Sequence, residues 1–217
     1  MGIFYTDEIG SFKKISRLNC QLVILSRNKP LEADTFFKNL SQIPFSIFTE
    51  VSKKTILNDI KQFLQDDIPE VIKTNLFYKV WIKDICSLCK LYCDIENSTH
   101  ISVWLGSKRG CRRYHIDDVP QRLLVTYYGQ GTEWISDKFA DKDAYKRGEP
   151  NDRILKNKSK KKYIDKWDVA LFKGGPNGLL HRTPDSALNN PSILMRLDHP
   201  GYWERVNKQI YKNISSS

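Results

Sequence analysis

The sequence predicts an α+β fold in which N-terminal helices pack on one face of an antiparallel jelly roll. Apolar residues recur mainly at helical spacing before residue 97, whereas at least six short strand-like runs, separated by turn residues, follow it. Helices that precede a set of antiparallel strands usually cover one side of the sheet. We therefore expect residues 1–217 to form a single domain, with a helical or mixed layer over residues 1–97. Residues 98–205 are predicted to form a cupin-like double-stranded β-helix.

The N-terminal layer is predicted to alternate short strands and helices. An apolar run over residues 20–27 indicates a buried strand, a weak helix follows at 31–40, and 45–51 alternates as a second strand. Apolar residues at helical spacing over 56–64 predict an amphipathic helix. The longest helix is predicted from an acidic N-cap at residue 67 to about residue 97, because apolar positions recur through it every three to five residues.

Three cysteines share one face of that long helix. Cys86, Cys89 and Cys93 are spaced by three and four residues, so their thiols stack along the helix. They could bind zinc together with Cys111, or they could form part of a buried apolar stripe. We favour the buried stripe, because no second cysteine pair complements the first.

The C-terminal part is predicted to consist of strands joined by glycine-containing turns. The six runs with strand character are 101–105, two in the stretch that follows residue 111, 167–172, 179–183 and 192–198. Residues 136–166 are polar, charged and poor in β-branched side chains. We expect this segment to form a long loop over the mouth of the barrel.

The stretch from Cys111 to Trp134 carries the strongest chemical signal. In an extended strand, residues two positions apart point to the same face, so the imidazole of His115 and the carboxylate of Asp117 converge. The next strand alternates in the same way. Leu123, Val125 and Tyr127 make one face apolar, and the opposite, mixed polar face is formed by Arg122, Leu124, Thr126 and Tyr128.

A second histidine would complete a metal site at this pair. His181, in a predicted strand near the end of the chain, is the candidate. Two histidines and one carboxylate leave coordination positions open, which suits non-haem Fe(II). Zinc held by His115, Asp117 and His181, with help from Cys111, is the alternative.

These motifs resemble a known family. The residues that carry the resemblance are Cys111-x-x-x-His115-x-Asp117, Arg122-Leu, Thr126-Tyr-x-Gly-x-Gly-Thr-Glu-Trp134, Asp168-Val-Ala-Leu-x-Lys-Gly174 and His181-Arg-x-Pro184. Together they look like the family called domain of unknown function 1826, over about the last two thirds of the chain. Their order also resembles the motif order of prolyl-hydroxylase-like Fe(II)/2-oxoglutarate oxygenases.

The oxygenase resemblance implies an assignment for each site residue. It implies that His115, Asp117 and His181 bind the metal. It also implies that an arginine beyond the distal histidine grips 2-oxoglutarate, since a guanidinium can bind a carboxylate through two hydrogen bonds. Arg196 is the first candidate for that role and Arg122 the second. Thr126 and Tyr128 are expected to share the 2-oxoglutarate site with Arg122.

Charge and hydropathy limit the partners. The chain carries a net charge of +10, and part of the excess lies in the basic run from Lys156 to Lys162. This run could contact nucleic acid, although a solvated loop is the simpler interpretation. No apolar run reaches membrane-spanning length and no secretory signal is evident, so a cytoplasmic location is expected. We rank an oxygenase with an unknown substrate first, a non-redox zinc protein second and a nucleic-acid-binding module third.

Overall fold

A large sheet forms the centre of the structure, a computed structural model that describes residues 2–206. Its seven strands are β1 (Gly2–Thr6), β2 (Cys20–Leu25), β3 (Ser46–Ser52), β4 (His100–Gly106), β5 (Gln121–Tyr128), β8 (Val169–Lys173) and β10 (Ile193–Asp198). They lie in the order β1-β2-β8-β5-β10-β4-β3, and all neighbours are antiparallel except the parallel pair β1 and β2. The mixed α+β class with a large, mainly antiparallel sheet is therefore confirmed.

A small second sheet faces the large one, and an apolar cluster distinct from the main core lies between the two sheets. Its strands are β6 (Glu133–Trp134), β7 (Lys162–Tyr163) and β9 (His181–Arg182), in the antiparallel order β7-β6-β9. The cluster joins side chains from both sheets and their flanks: Leu22, Ile24, Leu124, Trp134, Ile164, Ala170, Phe172 and Leu179. One face of the large sheet is thus covered by the small sheet.

The other face of the large sheet is covered by helices. The α-helices assigned within residues 2–206 are α1 (Ile9–Ile15), α2 (Ala33–Leu40), α3 (Ile56–Phe63), α4 (Glu70–Lys73), α5 (Leu76–Glu96), α6 (Lys142–Lys146), α7 (Asn151–Ile154) and α8 (Asp185–Asn189). The main core lies between α2, α3, α5 and the sheet, and Leu123, Val125 and Tyr127 of β5 are fully buried in it. The predicted alternation of β5 therefore separates two cores, one on each side of the sheet. None of the helices found in residues 2–206 has the length and apolar character needed to cross a membrane.

The longest predicted helix differs from the structure at its start. Residues 67–97 form the short helix α4 and the 21-residue helix α5, not one continuous helix. The cause is Asn75, whose extended backbone interrupts the helix while its side chain accepts a hydrogen bond from the Phe77 amide at 2.8 Å. Asparagine is a favoured N-cap residue, so the start of α5 is encoded at Asn75. The predicted end is correct, because Asn97 adopts a left-handed conformation as the C-cap.

The segment predicted as a long loop, 136–166, has structure of its own. It contains α6, α7 and β7, and Asp141 caps α6 by accepting hydrogen bonds from the Asp143 and Ala144 amides. Ala140, Ala144, Ile154 and Leu155 from this segment are buried with other apolar residues in a third core cluster. Short helices with few apolar residues show little periodicity, which explains why the pattern of residues missed them.

Candidate metal centre

His115, Asp117 and His181 form a compact cluster. One ligand atom from each lies within 4.8 Å of the others, and no other such group of His, Cys, Asp and Glu side chains occurs between residues 2 and 206. The backbones of the two histidines pair: His115 N donates to His181 O and His181 N donates to His115 O, each at 3.0 Å. This bridge extends the edge of β9, so His115 adjoins the small sheet without belonging to a longer strand.

Hydrogen bonds decide which nitrogen of each histidine carries the proton. Nδ1 of His115 lies 3.0 Å from the carbonyl oxygen of Arg113, and Nδ1 of His181 lies 2.9 Å from that of Leu179. A carbonyl can only accept, so each neutral ring donates from Nδ1 and keeps a free electron pair on Nε2. Burial, together with His181, lowers the pKa of His115 to about 4, which keeps its imidazole neutral near pH 7.

Both Nε2 atoms face the carboxylate of Asp117. His181 Nε2 lies 3.4 Å from Asp117 Oδ2, and His115 Nε2 lies 3.8 Å from Asp117 Oδ1. Oδ2 is buried and has no hydrogen-bond partner among the described residues. Burial raises the pKa of the Asp117 carboxyl, but His181 and Arg122 outweigh burial and hold it well below its ordinary value.

This arrangement fits a divalent cation. The two Nε2 atoms and a buried carboxylate oxygen that has no aligned donor among the described residues converge on one point, as the ligand atoms of a bound cation do. Two imidazoles and a carboxylate are also the ligand set of Fe(II) sites with open positions. The three side chains could therefore hold a metal ion without rearrangement of the backbone.

Arg122 links the cluster to the large sheet. Its Nη1 donates to Asp117 Oδ1, and its Nε donates to Asp198 Oδ1 at 2.6 Å. Both carboxylates are buried, and together they raise the pKa of Arg122 despite its burial. The guanidinium is thus occupied in orienting Asp117, so little of it is free to bind a further carboxylate.

Arg196 is held differently. Its Nε lies 2.9 Å from Asp198 Oδ2, but neither Nε nor Nη2 makes a well-aligned hydrogen bond to another described residue. The guanidinium packs over the rings of Trp203 at 4.6 Å and Tyr202 at 5.1 Å. Aromatic stacking therefore positions Arg196 while leaving donors available.

A cavity of about 60 Å³ adjoins the cluster. It is lined by Arg109, Cys111, His115, Arg122, Leu124, Thr132, His181, Arg182, Thr183, Leu194 and Arg196. The structure thus brings Arg122, Arg196 and Cys111 to the same cavity as the two histidines. Leu124 and Leu194 give it an apolar wall.

Two predicted residues do not line this cavity. Thr126 is buried away from it, and Tyr128 packs against the helix-side core. Opposite Tyr128 the pairing of β5 with β10 shifts by one residue, between Ile193 and Leu194. Such a bulge breaks the alternation of side chains, and the Tyr128 ring accordingly packs on the helix side of the sheet.

Four polar residues that line the cavity were not among the predicted site residues: Arg109, Thr132, Arg182 and Thr183. Arg109 donates from Nη1 to the Gln130 carbonyl at 2.8 Å and from Nη2 to Thr132 Oγ1 at 3.0 Å, while its Nε has no partner among the residues described. Burial lowers the pKa of Arg109 to about 10. The loop 107–110 has no motif that could have revealed the Arg109 contact, although Thr132 lies within the quoted Thr126–Trp134 motif.

The remaining sequence candidates lie elsewhere. Cys89 and Cys93 are fully buried in the main core and Cys86 is half-buried beside it. In the basic run, Lys160 lies over the ring of Phe139 at 5.7 Å and Lys162 over that of Trp134 at 5.1 Å. Part of that run is therefore held against the protein surface.

Comparison with known proteins gives one family match. A family model described as "Protein of unknown function (DUF1826)" matches residues 6–198. A search of curated proteins gave no significant match.

Several solved structures share distant similarity with the chain. A putative oxygenase from Shewanella oneidensis is 12% identical, with 93% of this chain and 92% of that chain covered and a TM-score of 0.44. The Fe(II)/(alpha)ketoglutarate-dependent dioxygenase TqaL is 9% identical over 89% and 88% of the two chains, with a TM-score of 0.41. HygX from Streptomyces hygroscopicus with iron bound is 10% identical over 76% and 86%, with a TM-score of 0.33. Similarities this distant assign neither a fold nor an activity, whereas the family model covers most of the sequence. The chain therefore belongs to the DUF1826 family.

Proposed function

We propose that the protein is a metal-dependent oxygenase that uses Fe(II) and 2-oxoglutarate to hydroxylate an unknown substrate. The observation that carries this proposal is the convergence of two Nε2 atoms, from His115 and His181, on a buried carboxylate oxygen of Asp117 that has no aligned donor among the described residues. Fe(II) held by these three side chains, with its other coordination positions open, supplies the redox chemistry that couples decarboxylation of 2-oxoglutarate to substrate oxidation.

We further propose that the two sheets form a double-stranded β-helix. The small sheet and the large sheet enclose a common apolar cluster, as the two walls of a jelly roll do. The two histidines lie at the edge of the small sheet, and Arg122 and Arg196 extend from the large sheet toward the same cavity. Asp117 lies outside any strand, and its hydrogen bond to Arg122 ties it to the large sheet.

The residues around the ligands have separable roles in this proposal. Arg122 holds Asp117 in place through a charge-assisted hydrogen bond, while Arg196 offers its free donors to the distal carboxylate of 2-oxoglutarate. Leu124 and Leu194 exclude water from one wall. The cavity of about 60 Å³ is small for 2-oxoglutarate and a substrate together, so binding requires side chains at its mouth to move.

Succinate release tests the activity. Purified protein supplied with Fe(II), ascorbate and 2-oxoglutarate is expected to release succinate slowly even without its substrate. His115→Ala, Asp117→Ala and His181→Ala should each abolish that release, while the exposed histidine variant His100→Ala should retain it. Release that persists at the wild-type rate in all three ligand variants would show that the chemistry does not occur at this site.

A non-redox zinc protein is the second candidate, and the position of Cys111 favours it. This exposed thiol lines the same cavity as His115 and His181 and could supply a fourth ligand. Co(II) substitution separates the two proposals. Intense visible absorption with a sulfur charge-transfer band that disappears in Cys111→Ser would support a closed tetrahedral zinc site, and weak absorption unaffected by this variant would support an open site.

A further inference from the structure

A groove between α3 and α5 lies apart from the metal centre and shares no lining residue with its cavity. Its volume is about 780 Å³. The groove is lined by Lys53, Lys54, Ile56, Leu57, Lys61, Lys73, Tyr78, Lys79, Ile82, Lys83, Cys86, Ser87 and Lys90. Nothing in the proposed oxygenase reaction requires this feature.

The floor of the groove is apolar. Ile56 and Ile82 are buried there, Tyr78 and Cys86 are half-buried, and Leu57 is 48% exposed on the α3 side. The residues that α5 contributes form two adjacent rows with i, i+4 spacing, from Tyr78 to Lys90. This side of the groove is therefore about 18 Å long, enough to accommodate three turns of a partner helix.

The rim of the groove is positively charged. Seven of the lining residues are lysines and none is acidic. Lys53 pairs with Asp94 at 2.7 Å and Lys73 with Glu70 at 2.9 Å. The other five, namely Lys54, Lys61, Lys79, Lys83 and Lys90, have no carboxylate at ion-pair distance within residues 2–206.

We propose that this groove binds an acidic amphipathic helix of a partner protein. An apolar stripe on such a helix would cover the floor, while glutamates or aspartates on its flanks would meet lysines on both rims. Nucleic acid fits less well, because Tyr78 is the lone aromatic ring of the lining and the apolar floor would stay uncovered by phosphates. A membrane surface fits less well, because the apolar residues line a concavity.

Charge disfavours the chain's own C-terminal segment as the occupant of the groove. Residues 207–217 contain two lysines and no aspartate or glutamate, so they would add positive charge to a basic rim. A separate acidic partner is the occupant that complements both the floor and the rim.

A designed peptide pair tests the proposal. The probe is a fluorescein-labelled peptide of about 16 residues with leucines on one helical face and glutamates on the flanks. The matched peptide carries lysine in place of each glutamate. Fluorescence anisotropy with the full-length protein is expected to show saturable binding of the acidic peptide at an affinity at least about tenfold above that of the basic one.

Charge-reversal variants locate the binding. Lys61→Glu/Lys83→Glu/Lys90→Glu should weaken acidic-peptide binding by at least about tenfold. Lys156→Glu/Lys158→Glu/Lys160→Glu changes the net charge equally at an exposed site and should leave the affinity unchanged. Leu57→Gln should also weaken binding, because it removes apolar contact without lowering helix propensity much. Thermal unfolding checks that each variant is folded.

Three outcomes would overturn the proposal. Equal weakening by both triple variants would show attraction to net charge alone. Equal binding of the two peptides would show that the lysine rim plays no part. Tighter binding of a single-stranded oligonucleotide or of phosphatidylserine vesicles, lost in the groove triple variant, would assign the groove to nucleic acid or to a membrane surface.

Discussion

Arg182 and Glu133 face each other through two hydrogen bonds, from Nε to Oε1 at 2.8 Å and from Nη2 to Oε2 at 3.2 Å, and both side chains are almost completely buried. They are directly opposite in the register of β9 and β6. Tyr114 also donates its hydroxyl to Glu133. Because Arg182 follows His181 in β9, this ion pair holds the strand that presents a metal ligand.

Loss of Arg182 should therefore lower the free energy of unfolding. Arg182→Met keeps most of the apolar stem but leaves the Glu133 carboxylate buried without its main partner, at a cost of about 3–5 kcal/mol. Urea denaturation followed by circular dichroism measures the free energy of unfolding. Arg147→Met is the matched control, because Arg147 pairs with Glu149 at 2.7 Å on the surface, and its cost should stay below about 1 kcal/mol. Similar costs for the two variants would mean that the buried pair does not support the fold.

The two arginines beside Asp198 should differ in what they support. Arg122→Leu leaves both Asp117 and Asp198 without their closest hydrogen-bonded cation, so we expect a lower free energy of unfolding and weaker metal binding. Arg196→Leu should bind metal nearly as the wild type does but lose the stabilisation that 2-oxoglutarate adds. Thermal unfolding with Co(II), with and without 2-oxoglutarate, separates these effects. An unchanged 2-oxoglutarate-dependent shift in Arg196→Leu would remove Arg196 from the proposed cosubstrate site.

A glycine controls the backbone at the metal ligand. A Cβ on Gly174 would overlap the carbonyl oxygens of Val119 and Asp117, and the neighbouring Gly175 amide donates to Asp117 O at 2.9 Å. Gly174→Ala should displace the backbone of Asp117, destabilise the protein by about 1–3 kcal/mol and reduce metal affinity. Calorimetric metal titration and urea denaturation measure the two effects.

Gly110→Ala provides the control for this substitution, because nothing lies within 4 Å of its Cβ position. It should leave both metal affinity and stability close to wild type. If Gly174→Ala binds metal as tightly as Gly110→Ala, the close approach of Gly174 to the Asp117 carbonyl does not position Asp117 for metal binding.

The cysteines should differ in reactivity according to burial. Cys111 is exposed, whereas Cys89 lies in the core, where burial raises the pKa of its thiol well above the ordinary value. Burial also raises the pKa of Cys20, Cys86 and Cys93. Since the thiolate is the reacting species, native protein at pH 8 should show one fast thiol with Ellman's reagent. That fast phase should be missing in Cys111→Ser, and after denaturation all five thiols of the wild type should react. Fast reaction of several thiols in Cys111→Ser would contradict the burial of the α5 stripe.

Several parts of this structure follow from local sequence. The alternation of Leu123, Val125 and Tyr127 and the C-cap at Asn97 each depend on neighbouring residues, because backbone period and capping are local properties. The His115-x-Asp117 pattern identified two ligand candidates, although the strand expected to present them is only a single bridge at His115. The pattern also separated a helical layer from the strands that follow. These local features are enough to predict the α+β class and the candidate metal ligands without knowledge of which distant segments pair.

Other parts were decided only by tertiary structure. Arg122 binds Asp198, which lies 76 residues away, Arg109 reaches the cavity from a loop without a motif, and a bulge opposite Tyr128 turns that ring toward the other core. Each depends on which distant segments pair and in what register, and a sequence pattern records the period of a strand but not its partner. The local sequence thus determined which side chains could bind a metal. Long-range pairing determined that His181 meets His115, and which charges surround them.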